Sequence, residues 1–453
     1  MLELRLSELA RSLGVACESG DTVVTGLAID SRAVKPGDLF VAIDGERVDG
    51  HDFIDDALDN GAAAIALTRP INLAAPHIKA ADSHQVCAIY GQLIRERFNG
   101  SVIGITGSAG KTTTKSFLES ICGLAGTTIA TLGNQNNELG VPLTLARLSA
   151  DPAFAIVEMG AAQRGDIAYL KLMTAPQVVV LLNALEAHVG RFGSPEAIVE
   201  TKGEILDDLT SSDTAILNAD QSHFSAWHLR AAPARIISFG ESSTADVQLV
   251  DVIDRGFDGS DIVVDAMGIR MSLCLSIPGK GGVTNALAAI AAAMALDIDA
   301  SLTAQGIETL SPVEGRGNTL RLDKGIRLID DSYNASPSSV MAALDTLKLA
   351  RPPRTAVLAD MLELGDDGPD YHREVGRHLS DLGIERVIAV GELSAHISDN
   401  CASNTLHFAT TDQLLADRPD FFQDETILVK GSRGMQLDRF VTSMKASAGE
   451  ATC

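Results

Sequence analysis

Aromatic side chains are scarce in this sequence. They make up 4% of its 453 residues, with one tryptophan, while alanine, leucine, isoleucine, valine and glycine are plentiful. That balance suits helices layered on parallel sheets better than a sandwich or a barrel. An excess of positive charge is missing too: 36 Lys and Arg stand against 60 Asp and Glu, a formal charge of −24. Nucleic acids and anionic membranes reward a basic face, so both are disfavoured as partners. Small anionic ligands need only local cations and stay open. The cysteines, Cys17, Cys87, Cys122, Cys274, Cys401 and Cys453, show no C-x-x-C spacing, which points to reduced thiols in a cytosolic protein. The opening MLELRLSELARSLG has no basic stretch leading into an apolar one, so no signal peptide is expected. No window approaches the roughly eighteen consecutive apolar residues of a membrane span. The expected compartment is the cytoplasm.

What is present divides into three blocks. The chain is too long for one ordinary core, and 45% apolar residues can fill several. In the first block, 23–32, 38–43 and 62–68 read as strands, with a helix over 51–61 ended by Gly61. The second opens with strand 101–106, continues through 153–160 and 177–183, and holds an Ala-rich helix at 285–296. Continuous apolar strands separated by helices predict a parallel sheet covered on both faces. The stretch LSPVEGRGN, 310–318, marks a hinge at Gly315 and Gly317. The third block repeats the pattern with strands at 326–332, 354–360, 385–392 and 425–432, each ending in polar residues, where open α/β sheets collect ligands. The expected fold is α/β in three domains, 1–86, 87–313 and 314–453: a small α/β domain, a central parallel-sheet domain with a phosphate loop, and a Rossmann-like domain.

The clearest chemical signal is IGITGSAGKTTTKS, 103–116. A strict phosphate loop, G-x-x-x-x-G-K-[ST], would have glycine where Ile105 stands. Yet Gly107, Ser108, Ala109, Gly110, Lys111, Thr112 and Thr113 lie between an apolar strand and a helix predicted from Lys111 to about Leu124. Backbone N–H groups, a helix N-terminus and a lysine are what a phosphate needs there. Thr112 can offer a hydroxyl to magnesium, and Glu158, ending strand AIVEMG, a carboxylate. Spacing alone selects neither His188, in a loop, nor Lys202, in a helical pattern.

The ordered set TGSAGKTTTK, GNQNNELGVPLTL, VEMGA, NALEAHVG, KGEIL, DDSYNASP, ADMLELG and KGSRGM spans nearly the whole chain and resembles the muramyl ligase family of peptidoglycan synthesis. The string D-N-P-R, typical of the sibling that adds the third peptide residue, is absent, and DDSYNASP fits the dipeptide-adding branch. A folylpolyglutamate synthetase would lack the first block, and a nucleotide switch would leave Glu158, His188 and Lys202 without a joint purpose. The resemblance implies a monomeric ATP-dependent ligase joining D-alanyl-D-alanine to UDP-N-acetylmuramoyl-tripeptide, with two Mg2+ ions.

In that resemblance the short loop is the family's own form. Lys111 would meet the outer phosphates, Thr112 and Glu158 would hold one metal, and His188 with a Lys202 carbamylated by carbon dioxide would hold the second. Arg316 and Asp331 match positions around the nucleotide, and Asn285 matches an adenine contact. The family's G-x-H-N-x-x-N reads GKGGVTN here, with Gly281 and Gly282 in place of the His-Asn pair. Ser31, Arg32, Gly50 and His51 resemble the uridine-nucleotide site. Asn134, Asn136 and Asn137 resemble muramyl-peptide contacts. Tyr333, Asn334, Asp360, Lys430, Ser432 and Arg433 resemble a dipeptide site, with Ala359 where glycine is usual.

Overall fold

A computed structural model describes residues 2–45, 48–151, 153–185 and 192–447, and its backbone is organised around three large sheets. The first is five-stranded in the order Cys17–Glu18, His77–Lys79, Ala64–Leu67, Asp38–Val41 and Gly26–Ala28, parallel except at its first pair. The expected helix at 51–61 opens as a 3-10 turn, Gly50–Phe53, and becomes α-helical only over Ile54–Asp59.

The middle sheet has nine strands. Its parallel part runs Thr128–Ala130, Phe154–Glu158, Ser101–Thr106, Val178–Leu181, Thr214–Asn218 and Arg235–Gly240. It is extended by Val247–Asp254, and then by the antiparallel strands Ser260–Ala266 and Ile269–Leu275. Sequence reading looked for continuous apolar runs and missed this antiparallel edge, where Ser260–Ala266 buries only every second residue. The Ala-rich helix starts earlier than expected, at Gly279, and runs to Ala295, so the GKGGVTN stretch forms its first turns. It packs against helix Lys111–Ala125, and the two share one buried cluster with a face of this sheet.

The third sheet is six-stranded: Asn318–Arg321, Arg327–Asp331, Thr426–Lys430, Arg354–Ala359, Arg386–Val390 and Asn404–Phe408, antiparallel only at its first pair. An apolar cluster lies on each face, and one of them takes in Phe257 from the middle block. The α/β class, with three mostly parallel sheets, is therefore as expected.

The expected boundary between residues 86 and 87 falls inside helix Ser83–Arg97. Its buried positions Cys87, Tyr90 and Ile94 recur at helical spacing, and they join a single core with Leu6 and Leu9 on one side and Val102 and Leu181 on the other. Arg97 donates to both carboxylate oxygens of Glu8 at 2.6 Å. Arg95 donates to Thr174 O (2.7 Å) and Ala175 O (2.8 Å), at the carbonyl end of helix Asp166–Thr174, where a cation is favoured. No helix among the described residues is long and apolar enough to cross a membrane.

Candidate active site

Ile105 belongs to the strand, buried and paired between Glu158 and Val180. The loop proper begins at Gly107, so a glycine at 105 has no work to do. Gly110 holds φ +87°, a left-handed conformation that costs other residues, and helix Lys111–Ala125 starts directly after it. The loop is clasped from the next strand's end. Asn183 Oδ1 accepts from Ala109 N (3.0 Å) while its Nδ2 donates to Ala109 O (3.1 Å), and Ser108 Oγ bridges Leu185 O and N at 3.0 Å each. Sequence reading missed Asn183, although it sits in the quoted NALEAHVG; its pairing with the loop is a tertiary contact. The Lys111 ammonium folds back onto Gly107 O at 2.7 Å. Burial lowers its pKa, against the pull of Glu158.

Glu158 is buried at the end of its strand, and each oxygen has one partner: Thr112 Oγ1 donates to Oε2 (3.0 Å) and Asn136 Nδ2 to Oε1 (2.8 Å). A hydroxyl and a carboxylate in contact beside a phosphate loop are the hard oxygen donors that Mg2+ takes when phosphate and water complete its shell. The residues present therefore fit such an ion. Among the described residues there is no cluster of three or more His, Cys, Asp or Glu that could hold a metal unaided. His188 lies outside the described residues.

Lys202 is buried in helix Pro195–Gly203. Burial, helped by the nearby charge of Lys111, lowers its pKa to about 7, against Asp166 and Glu204. Glu204 itself accepts from Gly165 N (2.7 Å) and Ala168 N (3.1 Å), capping the helix that begins at Asp166. Phe192 covers the ammonium, its ring centroid 5.5 Å away.

A cavity of about 640 Å³ joins the phosphate loop, Glu158, Lys202 and Asn136 to Arg316, Tyr333 and Asn334 from the third block. Asn134 and Asn137 also line it, as do Asp166 and Tyr169, which the sequence did not single out. Arg316 stacks on the Tyr333 ring at 4.1 Å, and Arg433 lies 5.9 Å from the same ring.

Several expected site residues stand elsewhere and are engaged within the protein. Lys430 donates to Asp331 (2.6 Å) and to Asn334 O (3.0 Å), while burial raises the Asp331 pKa against Lys430 and Arg316. Asp360 accepts from Ser394 N (2.7 Å), Ser432 Oγ accepts from Leu362 N (2.9 Å), and Arg433 pairs with Asp438 (3.1 Å). Ser31 is buried, and Arg32 is exposed and paired with Asp30 at 2.7 Å. His51 is buried with both ring nitrogens in use: Nε2 accepts from Thr68 N (3.2 Å), so Nδ1 donates to Asp49 (2.6 Å). Gly50 packs so closely that a Cβ would stand 2.6 Å from Ile43 N. Thr113 is in the first turn after the loop but does not line the cavity.

Asn285 lies against the phosphate loop: a Cβ on Gly110 would stand 2.2 Å from its Oδ1. Gly281 faces open space, whereas a Cβ on Gly282 would stand 2.7 Å from Ile277 O. The backbone here is closed to the larger residue that the sequence pattern led one to expect at 282.

Comparison with known proteins matches residues 23–106 to the Mur ligase family, catalytic domain, 105–293 to the Mur ligase middle domain and 315–433 to the Mur ligase, glutamate ligase domain. The UDP-N-acetylmuramoyl-tripeptide--D-alanyl-D-alanine ligase of Escherichia coli (strain K12) is 32% identical over 448 residues, covering 98% of this chain and 99% of that one. The enzyme of the same name from Bacillus subtilis (strain 168) is 32% identical, covering 93% of each chain. Among solved structures, MurF from Acinetobacter baumannii superposes with a TM-score of 0.89 at 29% identity, covering 97% of this chain and 98% of that one. MurF ligase from Thermotoga maritima, in complex with ADP, gives 0.81 at 28%, covering 94% and 98%. With full-length relatives above 30% identity and three successive family domains in order, this chain belongs to the Mur ligase family.

Proposed function

We propose that the chain is an ATP-dependent amide ligase joining D-alanyl-D-alanine to UDP-N-acetylmuramoyl-tripeptide, with UDP-MurNAc-pentapeptide, ADP and phosphate as products in peptidoglycan synthesis. The observation that carries this reading is one cavity in which a phosphate loop, Glu158 and Lys202 meet Arg316, Tyr333 and Asn334 from the third block. The names of the Escherichia coli and Bacillus subtilis relatives support the choice of substrates.

A carboxylate is a poor electrophile, so amide formation needs its oxygen converted to a leaving group. The tripeptide carboxylate attacks the γ-phosphorus of ATP, and ADP departs. The dipeptide amine then attacks the acyl carbon, loses a proton, and inorganic phosphate leaves from the tetrahedral intermediate. Lys111 and Arg316 offset the phosphoryl charge, while the loop N–H groups hold the nucleotide in line. Mg2+, when bound by Thr112 and Glu158, supplies further charge neutralisation at the phosphates. A second ion, as in the family resemblance, would be held by His188 together with a carbamylated Lys202. The buried Lys202 amine, held near a pKa of about 7, is neutral often enough to add carbon dioxide and lose a proton, becoming an anionic carbamate able to support that ion.

In this reading residues 1–86 receive the uridine nucleotide through Ser31, Arg32 and Gly50, with His51 bracing that loop, and 87–313 receive ATP and the muramyl peptide through Asn134, Asn136 and Asn137. Residues 314–453 receive the dipeptide, with Tyr333 and Asn334 at the cavity and Asp360, Lys430, Ser432 and Arg433 as further polar contacts. The chain works as a monomer in the cytoplasm. Phosphate release should require ATP, Mg2+, the uridine tripeptide and D-alanyl-D-alanine together. Release that proceeds without the dipeptide would sink the ligase reading.

A further inference from the structure

The mechanism leaves one buried cation without a task. Lys115 lies four residues after Lys111 on the same helix and is only 5% exposed. Burial disfavours an ammonium group unless partners repay its lost hydration. Its one hydrogen bond among the described residues goes to a main-chain carbonyl, Thr131 O, at 2.7 Å. Thr131 follows edge strand Thr128–Ala130, which pairs with the Glu158 strand and packs against the same helix, so Lys115 ties that helix to the end of the edge strand.

Thr131 then points back. Its N–H donates to Ile156 O (3.0 Å), and its Oγ1 accepts from Glu158 N (3.0 Å). Glu158 in turn receives Thr112 Oγ1, one turn before Lys115. The contacts close a circuit, Lys115 to Thr131 to Glu158 to Thr112 and back into the same helix. The carbonyl just before, Ala130 O, is gripped by Arg147. Beyond Thr131 the chain enters the loop bearing Asn136, whose Nδ2 holds the second Glu158 oxygen.

We infer that Lys115 is a positioning residue for Glu158: by anchoring Thr131 to the phosphate-loop helix, it holds the carboxylate where a divalent cation on a bound nucleotide can use it. The inference rests on the ATP-ligase reading above. A cation near the site could instead act only by repelling Mg2+, and a core lysine could serve only stability, so the test must separate three roles.

The measurement is ADP binding by titration calorimetry, with and without Mg2+, for wild type, Lys115→Met, Lys115→Arg and Thr131→Val. Positioning predicts that the strengthening of ADP binding by Mg2+ falls about three- to tenfold in Lys115→Met and Thr131→Val, with Mg2+-free binding within about twofold of wild type. Combining the two should add little to the larger single effect, because both open one circuit. Lys115→Arg keeps a donor and should retain most of the strengthening. An unchanged or enhanced Mg2+ effect in Lys115→Met would overturn the inference, as would an equal loss with and without Mg2+. If Lys115→Met does not fold, Thr131→Val and Lys115→Arg decide by the same criteria. Wild-type ADP binding indifferent to Mg2+ would instead refute the ATP-site reading itself.

Discussion

Gly110→Ala tests whether the phosphate loop is shaped as described, because two separable penalties meet at one atom. Gly110 holds φ +87°, and an L-residue in the left-handed region costs roughly 1–2 kcal/mol. The new Cβ would also stand 2.2 Å from Asn285 Oδ1. Relieving that overlap by displacing a nearly buried amide adds about 1–3 kcal/mol, as overpacking does. The sum is on the order of 2–5 kcal/mol. Asn285→Ala removes the overlap but leaves the backbone penalty, so in that background Gly110→Ala should cost only about 1–2 kcal/mol. Urea unfolding followed by fluorescence of Trp227, the single tryptophan, buried near the middle sheet, reads both numbers. Equal costs in the two backgrounds would show that Asn285 does not face the loop. A cost below about 0.5 kcal/mol in both would show that Gly110 is not left-handed.

Three further outcomes follow from other contacts. For Lys202, the fall from 10.5 to about 7 means the folded chain binds fewer protons than the unfolded one between those values; its charged form is penalised by at most on the order of 5 kcal/mol. Lys202→Met should therefore unfold at a higher temperature than the ligand-free wild type at pH 6, with the gain shrinking as pH rises from 7 towards 10, while ligase activity is lost; a pH-independent difference would refute the burial argument. Arg354 is buried and donates to Glu385, Lys348 O and Gly383 O, so Arg354→Met should cost about 2–4 kcal/mol at pH 7 in urea unfolding. Its bonds hold the Glu385 pKa below the usual range, so that stabilisation is present above the unfolded pKa and is lost as pH falls through the folded one, and the gap between variant and wild type should narrow in acid. Glu158→Gln should lower turnover about 100-fold or more in the ligase assay with ADP binding in the absence of Mg2+ little changed; a comparable loss of Mg2+-free binding would mean that Glu158 supports the loop rather than the metal.

Much of the site could be read from the chain because its chemistry is local. The phosphate loop, its strand and its helix are consecutive, and Glu158 ends an apolar run one strand away. Long-range placement could not be read this way. Asn183 clasps the loop across a strand pair, and Lys115 looks like any lysine on a helix until the edge strand is set beside it. The dipeptide-type residues follow the same division: their position at strand ends was legible, but the pairing of Lys430 with Asp331 and of Asp360 with Ser394 N depends on neighbouring strands and turns. The antiparallel edge at 260–275 is hidden in the sequence because alternating burial leaves no continuous apolar run.

The helix Ser83–Arg97, tied at Arg97 to Glu8 and at Arg95 to the end of helix Asp166–Thr174, has a mechanical meaning. With one continuous core running through the first and middle sheets, those two layers have no independent joint. Relative motion is left to the segment around Gly315 and Gly317, whose left-handed backbones connect the middle block to a third sheet whose apolar clusters take in Phe257 of the middle block, beside the Arg327–Asp258 ion pair. The enzyme would then work as a two-part clamp with one pivot, and a protease attacking its weakest connection would release two stable fragments rather than three.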